Sequence, residues 1–279
     1  MAIAQKIKWS LVMALMAVAA AVYVSKAHTT QKVSEKIVIS GSSTIAPLVA
    51  EIAKRYERDN ADVQIDVQSG GSSRGVADAR SGLADIGMVS RDLKASEREL
   101  TDYPIARDGI AVIIHKSNPI QELSKEQIRN IYLGQITNWK ELGGADMPIT
   151  VVNKASGRST LELFAEFMNL EPADIKANIV IGENEQGIKT VANSPGAIGY
   201  VSIGTAEYSE RSGTALKLIS LGGQVPSTQN VADKKYDLSR TLNLVTKGKP
   251  SVAVSHFIDY VQSAAVKDLV EEQYFVSLK

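Results

Sequence analysis

Three short stretches rich in serine, threonine and glycine hold the most readable chemistry in this sequence of 279 residues. They are Ser40-Gly41-Ser42-Ser43-Thr44-Ile45, Ser69-Gly70-Gly71-Ser72-Ser73-Arg74-Gly75 and Ala155-Ser156-Gly157-Arg158-Ser159-Thr160. Each follows a strand-like run and precedes a helix-like one. Each therefore sets unpaired backbone N–H groups and hydroxyls at a helix N-terminus, where the macrodipole favours negative charge. Ser, Thr and Gly are also ordinary helix caps, so one such turn says little. Three of them, two early in the chain and one later, predict donors converging from two sides on a tetrahedral oxyanion. Lys154, Arg158 and Arg91 are the candidate countercharges.

The middle turn has a second reading. Gly71-Ser72-Ser73-Arg74-Gly75 fits the G-x-S-x-G elbow of a serine hydrolase, with Ser73 as nucleophile. That chemistry needs a histidine base, and the chain has only His28, His115 and His256. None is placed on a late loop where the elbow would need it, so the hydrolase is the distant alternative and no catalytic residue is expected. Glu183-Asn184-Glu185 has no His or Cys near it and reads as a solvated loop rather than a metal site. No phosphate-binding glycine fingerprint of a nucleotide fold is present, and no cofactor is expected. Trp139 reads as packing.

Composition narrows the classes further. Hydrophobic residues make up 44%, charged residues 22% and aromatics 5%, with 31 basic against 31 acidic side chains, a globular balance. The absence of cysteine removes disulfides, zinc–thiolate sites and thiol nucleophiles. Zero net charge argues against a nucleic-acid partner, which would call for a basic face. Lys6 and Lys8 precede an apolar run over 11–24 and then Ser25-Lys26-Ala27, the pattern of a secretory signal peptide over 1–27 cleaved after Ala27. The run is too short to span a bilayer. Without Lys6, Lys8 and Lys26 the mature chain carries three more acidic than basic side chains, so a bound anion must be held by local donors.

The elements that would position the three turns alternate. Residues 28–36 read as a linker entering a strand at 37–39. Leu48, Ile52 and Tyr56 stripe a helix over 46–60, 63–67 alternates as a strand, 75–81 reads as a short helix and 84–89 as a buried strand. The run 110–114 is the most apolar strand candidate. A second series follows: a helix over 125–133 capped by Ser124, a strand at 149–152, a helix striped by Leu161, Phe164 and Met168, and a strand at 197–201. A strand at 242–245, expected beside 110–114, and a helix over 251–262 end the chain. Repeated βα units predict an α/β fold with parallel sheets.

Read in order, the motifs resemble the periplasmic phosphate-binding proteins that feed phosphate ABC transporters. They are Gly41-Ser42-Ser43-Thr44-Ile45-Ala46-Pro47-Leu48, Gly70-Gly71-Ser72-Ser73, Ala84-Asp85-Ile86-Gly87-Met88-Val89-Ser90-Arg91, Asp108-Gly109-Ile110, Ile136-Thr137-Asn138-Trp139, Pro195-Gly196-Ala197-Ile198-Gly199-Tyr200-Val201 and Lys247-Gly248-Lys249-Pro250. The resemblance implies a two-lobed type II periplasmic binding protein, each lobe a mostly parallel sheet flanked by helices, joined by a two-strand hinge. Lobe 1 is expected over 37–112 and 205–279, lobe 2 over 113–204.

It also implies a periplasmic monomer that binds inorganic phosphate and passes it to a permease and ATPase in the inner membrane; the alternative is a binding protein for another tetrahedral oxyanion, or a phosphate sensor. Carried over by position, the contacts fall on Ser43, Thr44, Ile45, Ser72, Ser90 and Arg91, and on Lys154, Arg158, Ser159 and Thr160. Two departures bear on selectivity among phosphate, sulfate and molybdate. Lys154 and Arg158 stand where relatives have an arginine and a serine, and Arg91 stands where many have an aspartate. The side chain of Arg158 is expected to reach the ligand.

Overall fold

The computed structural model describes residues 35–279. The expected signal peptide, its cleavage point and all but the end of the linker lie outside the described residues. Among those described, no helix is long and apolar enough to cross a membrane.

The first lobe opens with β1 (Glu35–Gly41), α1 (Ala46–Asp59), β2 (Val63–Ser69), α2 (Ser72–Ser81) and β3 (Ile86–Val89). β1 pairs in parallel with β2 and β3, with Ile37 opposite Ile65 and Ile39 opposite Ile86. The stripe on α1 does what its spacing predicts: Leu48, Val49, Ile52 and Tyr56 are buried against the sheet. α2 starts three residues earlier than its apolar pattern indicates, because Gly71 at φ 97° turns the chain into it. Only glycine takes that backbone angle readily.

β4 (Leu100–His115) runs for 16 residues and leads out of this lobe. After it come β5 (Glu122–Leu123), α3 (Lys125–Tyr132), β6 (Thr150–Lys154), α4 (Ser159–Met168), β7 (Ile179–Ile181), α5 (Asn184–Ala192), β8 (Ala197–Ser202), α6 (Ile203–Arg211), β9 (Leu216–Leu218), β10 (Ser220–Leu221) and α7 (Thr228–Ala232). The chain closes with β11 (Ser239–Lys247), α8 (Val252–Val261), α9 (Lys267–Glu272) and β12 (Val276–Ser277). Ser124 caps α3 as expected, in a reciprocal capping box with Gln127.

The sheet order is β2-β1-β3-β11-β4-β8-β6-β7, and β4 belongs to both lobes. Its first ten residues pair antiparallel with β11, from Leu100 opposite Lys247 to Gly109 opposite Ser239. Its last part pairs with β8 and β9. The returning strand therefore lies beside 100–109, not beside 110–114 as its apolar content indicated. The run 110–114 is instead buried between β8 and β9, which explains why it is so apolar.

The lobe boundary differs from the expectation for the same reason. Ile203, Leu216, Ile219, Val231, Tyr236 and Leu238 pack in the core built around 110–114, so the second lobe runs on to Leu238 and the first resumes at Ser239, not at 205. Two strand crossings, at Gly109/Ile110 and Leu238/Ser239, join the lobes, and the Ile110 N–H donates to the Leu238 carbonyl at 2.9 Å between them.

Three aromatic rings packed on one another fix the helix that carries the third hydroxyl turn. Phe164 stacks on Tyr200 with ring centroids 3.8 Å apart, and Tyr132 packs against both. Phe164 is fully buried, and truncating such a side chain costs about 3–5 kcal/mol. Trp139 is likewise buried and donates from Nε1 to the Gly196 carbonyl at 2.9 Å, a packing role as expected.

Candidate functional site: a hydroxyl and cation cluster between the lobes

The three turns meet where the lobes face each other. α1, α2 and α4 all begin without a side-chain cap hydrogen bond. The N–H groups of their first turns are thus left to other partners. In the first lobe Ser42 donates to the Ser90 hydroxyl at 2.9 Å and accepts from the Thr44 and Ile45 N–H groups. The Ser72 hydroxyl lies 3.4 Å from that of Ser90 and accepts the Ser90 N–H at 3.1 Å. From the second lobe the Ser159 hydroxyl reaches Ser90 at 2.6 Å. Ser90 is the hub of four buried hydroxyls drawn from both lobes. Hydroxyls can turn their protons toward an incoming acceptor.

Beside them lies a buried amino group. Lys154 ends β6 with 2% of its surface exposed, and its Nζ donates to the Asn184 Oδ1 at 2.9 Å. No carboxylate among the described residues makes a salt bridge to it. Burial first, and then the nearby guanidinium of Arg240, push its pKa from 10.5 down to about 7. An ammonium so placed favours an anion that would restore its charge.

Arg240 and Asp108 complete the cluster. They form an ion pair with both side chains about 1% exposed: Asp108 Oδ2 accepts from Arg240 Nη2 at 2.7 Å and Nε at 3.1 Å. Arg240 also donates to Thr160 Oγ1 at 2.9 Å and Thr44 Oγ1 at 3.2 Å. A cleft of about 730 Å³ opens beside Ser43, Thr44 and Asn184 and runs out past Pro47, Tyr208 and Phe275.

Of the expected contacts, Thr44, Ser72, Ser90, Lys154, Ser159 and Thr160 are brought together. Ser43 lines the cleft instead, and its neighbour Ser42 takes the place in the cluster. The Ile45 N–H is turned onto Ser42.

Two of the expected cations stand apart from the hydroxyl cluster, each paired with one or more carboxylates. Arg91 is buried, but its guanidinium is held by Glu97 (Nη1–Oε2 2.7 Å, Nη2–Oε1 2.9 Å) and by Glu162 (Nε–Oε2 3.0 Å). Two carboxylates already neutralise it. Burial works against ionisation of Glu97, yet Arg91 prevails and holds that carboxyl below its usual range. Arg158 reaches Glu183 at 3.0 Å, on the β7–α5 turn, and not the hydroxyl cluster.

Ser73 has a carboxylate and not an imidazole as its partner: its Oγ donates to Glu162 at 3.2 Å. His115 is bonded to Ser117, and His256 is exposed on α8. The third histidine, His28, lies outside the described residues. No hydrolase triad is assembled at Ser73 among the described residues.

Arg240, Asp108 and Asn184 were missed as site residues. Asp108 stood in a quoted motif without a role. Nothing in local spacing ties it to Arg240, 132 positions later.

A model of the PBP superfamily domain matches residues 26–265. The phosphate-binding protein PstS of Bacillus subtilis is 32% identical over 253 residues, covering 88% of this chain and 82% of that protein. The chain belongs to the PstS family. Its member from Borreliella burgdorferi is 30% identical, covering 88% of this chain and 91% of its own length.

Among solved structures, one described as a phosphate ABC transporter substrate-binding protein from Clostridium perfringens, with bound phosphate, superposes with a TM-score of 0.81. It is 33% identical and covers 88% of this chain and all of its own. The ABC-type phosphate transport receptor of Vibrio cholerae gives 0.72 at 31% identity, over 86% of this chain and 99% of its own. The two-lobed α/β architecture expected from the motifs is the fold of these PstS-family neighbours.

Proposed function

We propose that this chain binds inorganic phosphate between its lobes and delivers it to an ABC permease and ATPase for uptake, acting as a monomer in the periplasm and catalysing no reaction. Phosphate is what the names of its PstS-family relatives give as their ligand. The observation that carries the reading here is Lys154, a buried amino group to which no carboxylate among the described residues makes a salt bridge, set beside hydroxyls and uncapped helix N-termini from both lobes. Such a site is costly without an anion and is relieved by one.

Hydrogen bonds to a charged group contribute about 1.5–3 kcal/mol each. Five of them, less the ordering cost of association, are consistent with a micromolar or tighter Kd, about −8 kcal/mol or better. Titration calorimetry of the processed protein against phosphate, sulfate and molybdate tests this. One phosphate per chain at micromolar Kd or tighter is expected. Absence of phosphate heat with strong sulfate or molybdate binding would reassign the site to another tetrahedral oxyanion.

A further inference from the structure

The ion pair at the hinge does more than join two strands. A threonine hydroxyl has one proton to give and two lone pairs to fill. Thr44 Oγ1 accepts from Arg240 Nη2 at 3.2 Å and from Asn184 Nδ2 at 3.4 Å. Both lone pairs are then occupied, and only the O–H remains to be offered. Thr160 Oγ1 accepts from Arg240 Nη1 at 2.9 Å, which turns its proton away from the guanidinium.

Neither donor can reverse its role. A guanidinium has no acceptor and does not deprotonate. The Asn184 amide is oriented by Lys154 Nζ, which donates to its Oδ1. The guanidinium is also held in place: Asp108 Oδ2 takes its Nε and Nη2, while Asp108 Oδ1 takes the Ser202 hydroxyl at 2.9 Å. Thr44 comes from the first lobe, Thr160 from the second, and Arg240 sits on β11 one residue after the strand crosses between them.

We propose that Arg240, anchored by Asp108, is a positioning residue that leaves Thr44 only its O–H to offer and turns the Thr160 proton away from the guanidinium, so that both hydroxyls donate to one anion from opposite lobes. The inference rests on the phosphate reading. It adds a specificity rule: a ligand must present an unprotonated oxygen to Thr44. It also adds a coupling, since the planar fork spans both hydroxyls only when the two lobes hold their relative positions at the hinge. Lysine keeps the charge and loses the fork.

The test is a cycle of variants read by phosphate titration of the whole processed chain. Binding by the wild type is the baseline; its absence would remove the phosphate reading itself, whereas the cycle addresses Arg240 alone. Arg240→Lys is expected to weaken phosphate at least tenfold. The same exchange in a Thr44→Val, Thr160→Val background is expected to cost less than about threefold, because the hydroxyls through which Arg240 acts are gone. An unchanged Kd in Arg240→Lys, or an equal loss in both backgrounds, overturns the proposal and leaves the pair a structural one. Should Arg240→Lys fail to fold, Asp108→Asn releases the anchor while keeping the guanidinium. It is expected to show the same dependence on background, and equal losses there overturn the proposal equally.

Discussion

At the scale of single residues, the phosphate proposal turns on Lys154. Its ammonium is disfavoured by burial and by Arg240, so its pKa sits at about 7 in the folded chain against 10.5 for the free group. Between those values the unfolded chain holds a proton that the folded chain has shed. The stability of the ligand-free protein therefore rises with pH across that window, and the full cost of the buried charge is felt below about pH 7. A bound dianion reverses the preference. Binding at pH 8, where free phosphate is already mostly the dianion, is expected to take up protons at Lys154. Calorimetry in buffers of different ionisation enthalpy measures that uptake, and its absence would mean that the anion does not lie against Nζ. Lys154→Met is expected to abolish it and to weaken phosphate by roughly 2–5 kcal/mol, the range for truncating one partner of a buried charge pair. The ligand-free melting temperature should hold or rise, because a buried charge is replaced by a side chain of similar volume. The sequence made Lys154 legible as a candidate but could not separate it from Arg91 and Arg158. All three are cations near hydroxyl turns, and only their carboxylate partners in the fold, Glu97, Glu162 and Glu183, sort them.

At the scale of elements, the strand-to-helix turns were the readable part, because glycine and hydroxyl residues punctuate a chain locally. The elements that bring the turns together were harder. Sixteen residues of β4 serve both lobes, and the apolar run at 110–114 marks only the half that is buried in the second. The turn before α2 is where local geometry and lobe contact coincide. Gly71 has φ 97°, and a Cβ there would lie 2.7 Å from the carbonyl oxygen of Gly157 on the opposite lobe. The Ser73 N–H donates to that same carbonyl at 3.2 Å. Gly71→Ala is expected to strain the turn and hold the lobes apart, weakening phosphate at least tenfold. An alanine variant with wild-type affinity would show that this approach of the lobes is not needed for binding.

At the scale of the whole molecule, side chains outside the cluster hold the lobes together. Glu162 on α4 takes Lys94 at 2.8 Å, Arg91 at 3.0 Å and the Ser73 hydroxyl, all from the first lobe. Glu183 takes the Ser69 hydroxyl at 3.1 Å as well as Arg158. A ligand that adds contacts from both sides shifts the population toward this closed arrangement. Small-angle scattering is expected to give a smaller radius of gyration with saturating phosphate than without it. Glu162→Ala removes one of the ties and should quicken phosphate release without altering the contacts at Ser90. A release rate equal to that of the wild type would show that the tie carries none of the closed state's stability. Diffraction from crystals grown with phosphate shows where the anion sits. One phosphate is expected within hydrogen-bonding distance of Thr44 from the first lobe and of Lys154 and Thr160 from the second. Phosphate bound to one lobe alone, or away from Lys154, would contradict that placement.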